Sequence, residues 1–162
     1  MSKMEKLQKL IRLYREETGK AELDMHEVAL FCFRKGWPMP TPKTPLDMMA
    51  LLLRDAARQA VRKDKSSGRP YRAYHAVPST TGQGVFYWID IDDPETSYAN
   101  MRKSMVRRRE QMVDDGVQLS LDLDHWNAIR PDDESITLPM DLELDIEWRK
   151  NAMDYDDDEE AA

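Results

Sequence analysis

The sequence predicts an α+β fold: three helices and a β-hairpin, then a helix and short strands in a C-terminal extension. Three observations carry that expectation. Apolar residues recur every three to four positions across 3–18, 25–35 and 44–64. Aromatic and β-branched residues concentrate at Tyr71–Val77 and Val85–Ile91, on either side of the glycine-containing loop PSTTGQG. Apolar and polar residues alternate at 117–123 and again at 136–148. The first spacing is helical and the last that of a half-buried strand. At 162 residues and 18.9 kDa, the chain has room for one ordinary domain with tails.

The first helix is expected from Lys3 to Thr18, with Met4, Leu7, Ile11 and Tyr14 as its buried stripe. Ser2 and Glu5 form a capping box and Gly19 is the stop. The second runs from Met25 to Lys35 behind an Asp24 cap, with Leu23 and Val28 as a hydrophobic staple. Its interior is apolar nearly all round, which predicts the central helix of the core. Cys32, the single cysteine, lies in this run and reads as a buried structural thiol. Prolines at 38, 40, 42 and 45 then make a stiff linker.

Thr44, Pro45 and Asp47 open the third helix, expected to reach Lys63 or Asp64. Leu46, Met49, Leu52, Leu53, Ala56 and Ala60 cluster on one side as its core face. Arg54, Arg58 and Arg62 recur every four residues on the other side. KDKSSGRP breaks the helix and the hairpin follows. Its second strand places Phe86 and Trp88 on one face, which the later chain covers or which serves as a base-stacking surface. A further helix is expected from Thr96 to Asp115, with a second basic cluster at Lys103, Arg107, Arg108 and Arg109 and Gly116 as its stop. Strands are expected over the two alternating segments, Pro139 confining the second to an edge or an extended arm, and disorder over DYDDDEEAA.

Charge divides the chain. Residues 1–109 hold 21 Lys+Arg against 13 Asp+Glu, a balance of +8, and residues 110–162 hold 3 against 18, a balance of −15. The net −7 therefore does not exclude nucleic acid. Three helices and a Gly-tipped hairpin are the order of a winged helix-turn-helix, whose third helix enters the DNA major groove while the hairpin wing touches the backbone. On that reading Arg54, Arg58 and Arg62 contact the groove, Lys63, Lys65, Arg69 and Arg72 the phosphates, and the wing tip Thr80–Gly84 the flanking backbone. The expected division is a winged-helix domain at 1–93, a basic helix with acidic alternating strands packed on it at 94–149, and a disordered acidic tail at 150–162.

The second helix ending in glycine, Lys43-Thr44-Pro45 opening the third, and a Gly-tipped hairpin ending in Phe86-Tyr87-Trp88 resemble the HARE-HTH family over residues 22–91. That family includes DNA-associated modules of chromatin and restriction proteins and the N-terminal domain of the delta subunit of bacterial RNA polymerases. The resemblance implies a winged helix and a DNA-associated role. The basic helix and the two alternating segments before the acidic end depart from the delta pattern.

The function expected is a DNA-binding accessory or transcriptional regulatory protein of bacterial type. It is expected to be cytoplasmic, non-catalytic and without cofactor or membrane span, its acidic end modulating binding. That end reads by default as a solubilising tail, and otherwise as an arm for a protein partner or a mimic of nucleic acid competing for the basic stripe. A module docking on polymerase or another DNA-bound complex is the alternative. A third reading is a small Mg²⁺-dependent nuclease-like enzyme using Asp90 with Asp92, or Asp122 with Asp124, as carboxylate pairs on strands. His26, His75 and His125 have no zinc-site spacing and read as surface or wing residues, and neither a GxSxG elbow nor a phosphate loop occurs.

Overall fold

Local signals decide the first elements of the computed structural model, which describes residues 1–80 and 86–160, the side chains of 155–160 excepted. The helices are α1 (Lys3–Thr18), α2 (Met25–Arg34), α3 (Pro45–Gln59), α4 (Tyr98–Ile129) and α5 (Glu143–Glu160). The strands are β1 (Val61–Lys63), β2 (Pro70–Arg72), β3 (Tyr74–Pro78) and β4 (Phe86–Asp90). The fold is thus mixed helix and sheet, with two antiparallel hairpins, β1–β2 and β3–β4. The chain divides into two compact units, Met1–Met48 and Met49–Ala162. Among the described residues, no helix is long and apolar enough to cross a membrane.

In the first unit the expected caps are present. The Ser2 hydroxyl accepts from the Glu5 amide, Gly19 closes α1 at φ 69°, and the Asp24 carboxylate accepts from the amides of His26 and Glu27. Tyr14, Val28 and Cys32 form the core, with Leu10, Ile11, Leu23, Phe31 and Trp37 against it. The Tyr14 and Phe31 rings meet edge-on at 5.4 Å, and the Tyr14 hydroxyl donates to Glu27 at 2.7 Å. The stripe is narrower than expected, since Met4, Met25, Leu30 and Phe33 are exposed. Two helices meeting along one seam leave the far side of α2 open.

α3 departs further from expectation. It stops at Gln59, none of its residues is buried, and Leu46, Met49, Leu52 and Leu53 are exposed. Residues Val61–Lys63 pair instead with Arg72, Tyr71 and Pro70, so Arg62 lies on a strand rather than on the third helix. The competing force is a second hairpin that sequence reading took for a break. Asp64 accepts from the Ser66 and Ser67 amides, and Gly68, at φ 71°, adopts the left-handed turn that closes the loop.

Ala73, 1% exposed, welds the two hairpins. Its amide donates to the Ala60 carbonyl at 3.0 Å and its carbonyl accepts from Ile91 at 2.9 Å, so the chain changes pairing partner at this residue. The β3–β4 register aligns Ala76 with Trp88 and Pro78 with Phe86. As expected of a later element, α4 covers the Phe86 face, and Arg107 stacks over that ring at 4.1 Å. The hairpin tip lies outside the described residues apart from Thr80.

No strand forms at 117–123 or 136–148: α4 is one 32-residue helix and α5 begins at Glu143. Gly116 does not end α4, and the tail expected to be disordered from Lys150 is helical to Glu160. Leucine and glutamine are good helix formers, and an alternating leucine pattern still offers a helix a face. That face meets an extended arm. The Asn127 side-chain amide donates to the Ile136 carbonyl and accepts from the Ile136 amide, both at 2.9 Å. The Met140 methyl lies 3.5 Å from where a Gly116 Cβ would sit. The helix rises about 16 Å between those two contacts, so the arm runs along α4 from Ile136 to Met140. Pro139 suits such a segment because it needs no ladder partner.

Candidate anion-binding site

Five arginines of the second unit converge on one pocket of about 290 Å³. Arg54 and Arg58 reach it from successive turns of α3, Arg72 from the end of β2, and Arg107 and Arg108 from α4. Phe86, Trp88 and Tyr74 supply aromatic lining, and the nearly fully buried His75 and Ser104 contribute polar groups. Among the described residues, no carboxylate lines it. Among the described residues, Arg54, Arg72, Arg107 and Arg108 make no ion pair, and Arg58 makes one exposed contact to Asp55 at 3.5 Å.

Neighbouring charge shows in the titration of the lining. Burial, and then the positive charge of Arg72, push Arg108 below its ordinary range. His75 is likewise lowered, first by burial and then by Arg108 and Arg72, against a hydrogen bond from its Nε2 to the Arg72 carbonyl oxygen at 3.0 Å. The imidazole is therefore neutral at pH 7 and adds a polar group rather than a charge. It lies buried on β3, within the hairpin expected as the wing, rather than at the surface. Guanidinium groups gathered on one pocket repel one another, and an anion with several oxygens relieves that repulsion while accepting paired hydrogen bonds.

The residues assigned to DNA contact from sequence divide between two places. Arg54, Arg58 and Arg72 line the arginine pocket, while Arg62, Lys63, Lys65 and Arg69 surround the loop of the first hairpin. Arg62 grips both oxygens of Asp90, at 2.6 and 2.7 Å, and also bonds Asp92. The Tyr71 hydroxyl donates to the same Asp92 at 2.9 Å. Arg69 makes a paired contact to Asp154 of α5, at 2.9 and 2.7 Å. These two guanidinium groups already hold carboxylates at short range, whereas among the described residues Arg54, Arg72, Arg107 and Arg108 of the pocket make no ion pair and Arg58 makes a long one.

The carboxylate pairs weighed for Mg²⁺ are placed otherwise. Asp90 and Asp92 share Arg62, which holds Asp90 down to about 2. Asp122 and Asp124 lie on α4, where positions two apart point to different sides. No group of three or more His, Cys, Asp or Glu side chains suited to a metal occurs among the described residues. Sequence reading left Arg107 and Arg108 outside the site, although the cluster was visible. The missing information was that α4 folds back onto the hairpin. Comparison of the chain with known protein families, curated proteins and solved structures returned no match.

Proposed function

We propose that this is a nucleic-acid-binding accessory or regulatory protein, non-catalytic and acting on DNA, that engages phosphate through the arginine pocket of its second unit. The observation that carries the reading is the convergence of Arg54, Arg58, Arg72, Arg107 and Arg108 on one pocket, with no carboxylate among its described lining residues. Trp88 beside them suits the apolar face of a base, which favours strands with accessible bases. The order of three helices followed by a hairpin supports a winged-helix arrangement like that of HARE-HTH modules, and the buried free thiol of Cys32 is consistent with a reducing, cytoplasmic setting. Changing Arg107 and Arg108 together to alanine is expected to weaken binding of a single-stranded DNA oligonucleotide at least tenfold. It should also flatten the dependence of log K on log salt by about 1.4, as two lost phosphate contacts on a single strand require. Fluorescence anisotropy across a salt series measures both, and unchanged affinity and slope would reject the site.

A second reading has its own observation. Leu144 and Trp148 on α5 are 75% and 73% exposed, an apolar pair in an acidic helix that suits a basic protein partner.

A further inference from the structure

We infer that the arginine pocket receives the terminal phosphate monoester of a nucleic-acid strand, in preference to phosphodiesters along its length. This rests on the nucleic-acid reading above and names the group recognised. A strand presents one charge about every 3.4 Å of its axis, and a surface that follows it needs cations laid out in a line. Arg54, Arg58, Arg72, Arg107 and Arg108 come from three elements and close on about 290 Å³, the size of a small-ligand site rather than a groove.

Charge and valence point the same way. A phosphodiester carries one negative charge and two free oxygens, whereas a phosphate monoester carries about −1.5 to −2 at pH 7 and has three. Several uncompensated guanidinium groups in one compartment favour the ligand with more charge and more acceptors. The Arg107 guanidinium sits over the Phe86 ring at 4.1 Å, a cation–π contact that restrains it before a ligand arrives. Arg107 already occupies the Phe86 ring, and Trp88, which lines the same pocket, is the aromatic side chain beside which a terminal base can stack.

The test compares single-stranded DNA of one sequence carrying a 5′-phosphate, a 3′-phosphate or hydroxyls at both ends, labelled internally, and deoxyadenosine monophosphate as a competitor. One phosphorylated form is expected to bind at least tenfold tighter than the unphosphorylated strand. The advantage should fall below threefold in the Arg107→Ala/Arg108→Ala protein. Competition by the mononucleotide at concentrations far above the strand's Kd supports recognition of a strand end. Equal potency of mononucleotide and strand overturns that, assigning the pocket to a free nucleotide. Equal affinity for all three strands, with all three weakened by the arginine changes, overturns the inference and leaves nucleic-acid binding standing. Absence of binding to any strand removes both. Should the double variant lose its thermal transition, Arg54→Gln, on an exposed turn of α3, reads the same end preference.

Discussion

Arg62 joins the two hairpins through side chains, as Ala73 joins them through backbone. Its guanidinium sits on β1 and holds Asp90 on β4 and Asp92 just beyond it, with the Tyr74 ring 5.6 Å away. Arg62 in turn holds the Asp90 carboxyl at about 2, below the usual 3.8. A carboxyl lowered by folding contributes stability that is complete above its unfolded value and lost as pH falls through its folded value. The hairpin pair should therefore resist acid until pH falls from about 4 toward 2. In Arg62→Ala the acid transition followed by circular dichroism should move to higher pH and the Tm at pH 7 should drop. Arg62→Lys should recover little, because an ammonium cannot match both oxygens of Asp90 at once. An acid midpoint unmoved by either change would show that the contact is idle.

The hinge between what the sequence disclosed and what it hid lies at the ends of elements. Capping is chemistry between near neighbours, so Ser2, Asp24 and Gly19 were legible, and so was the β3–β4 hairpin with its expected covered face. The end of α3 was not legible, because Val61–Lys63 are drawn into a strand by partners up to eleven residues away. The same holds at Gly116. A glycine usually marks a helix end, but here it sits within a helix beneath Met140, and that reason comes from the far side of a turn. Half of the pocket was legible as the Arg54–Arg58 spacing, and the half on α4 depended on a fold-back that no local pattern records. Since the Met140 contact leaves ordinary van der Waals room for a methyl group, Gly116→Ala should raise stability by about 0.5–1 kcal/mol through helix propensity alone. Thermal unfolding measures it. A loss of stability would mean that the arm needs closer approach than 3.5 Å indicates.

The uneven charge of the chain becomes a physical arrangement within the second unit. Asp154 of α5 holds Arg69, so part of the acidic end already rests on a basic loop. Deleting residues 150–162 frees that arginine and removes the acidic run beyond it. DNA affinity at low salt should rise about two- to fivefold, as expected for an exposed ion pair and screened charge, and the gain should vanish at high salt. Anisotropy titrations of full-length and shortened protein decide it, and equal affinities at low salt would assign the tail no part in binding.

α4 extends about 48 Å. Arg102, Lys103, Arg107, Arg108 and Arg109 lie in its first twelve residues, and Asp114, Asp115, Asp122 and Asp124 in the remainder. Isolated helices favour the opposite order, because peptide dipoles already make the N-terminal end positive. Side chains and backbone therefore reinforce one another, and the helix behaves as a long electric needle. In the field of a polyanion such a needle feels a torque as well as an attraction. It is turned with its arginine end inward before contact and carries its acidic end, with the apolar arm beside it, out toward solution.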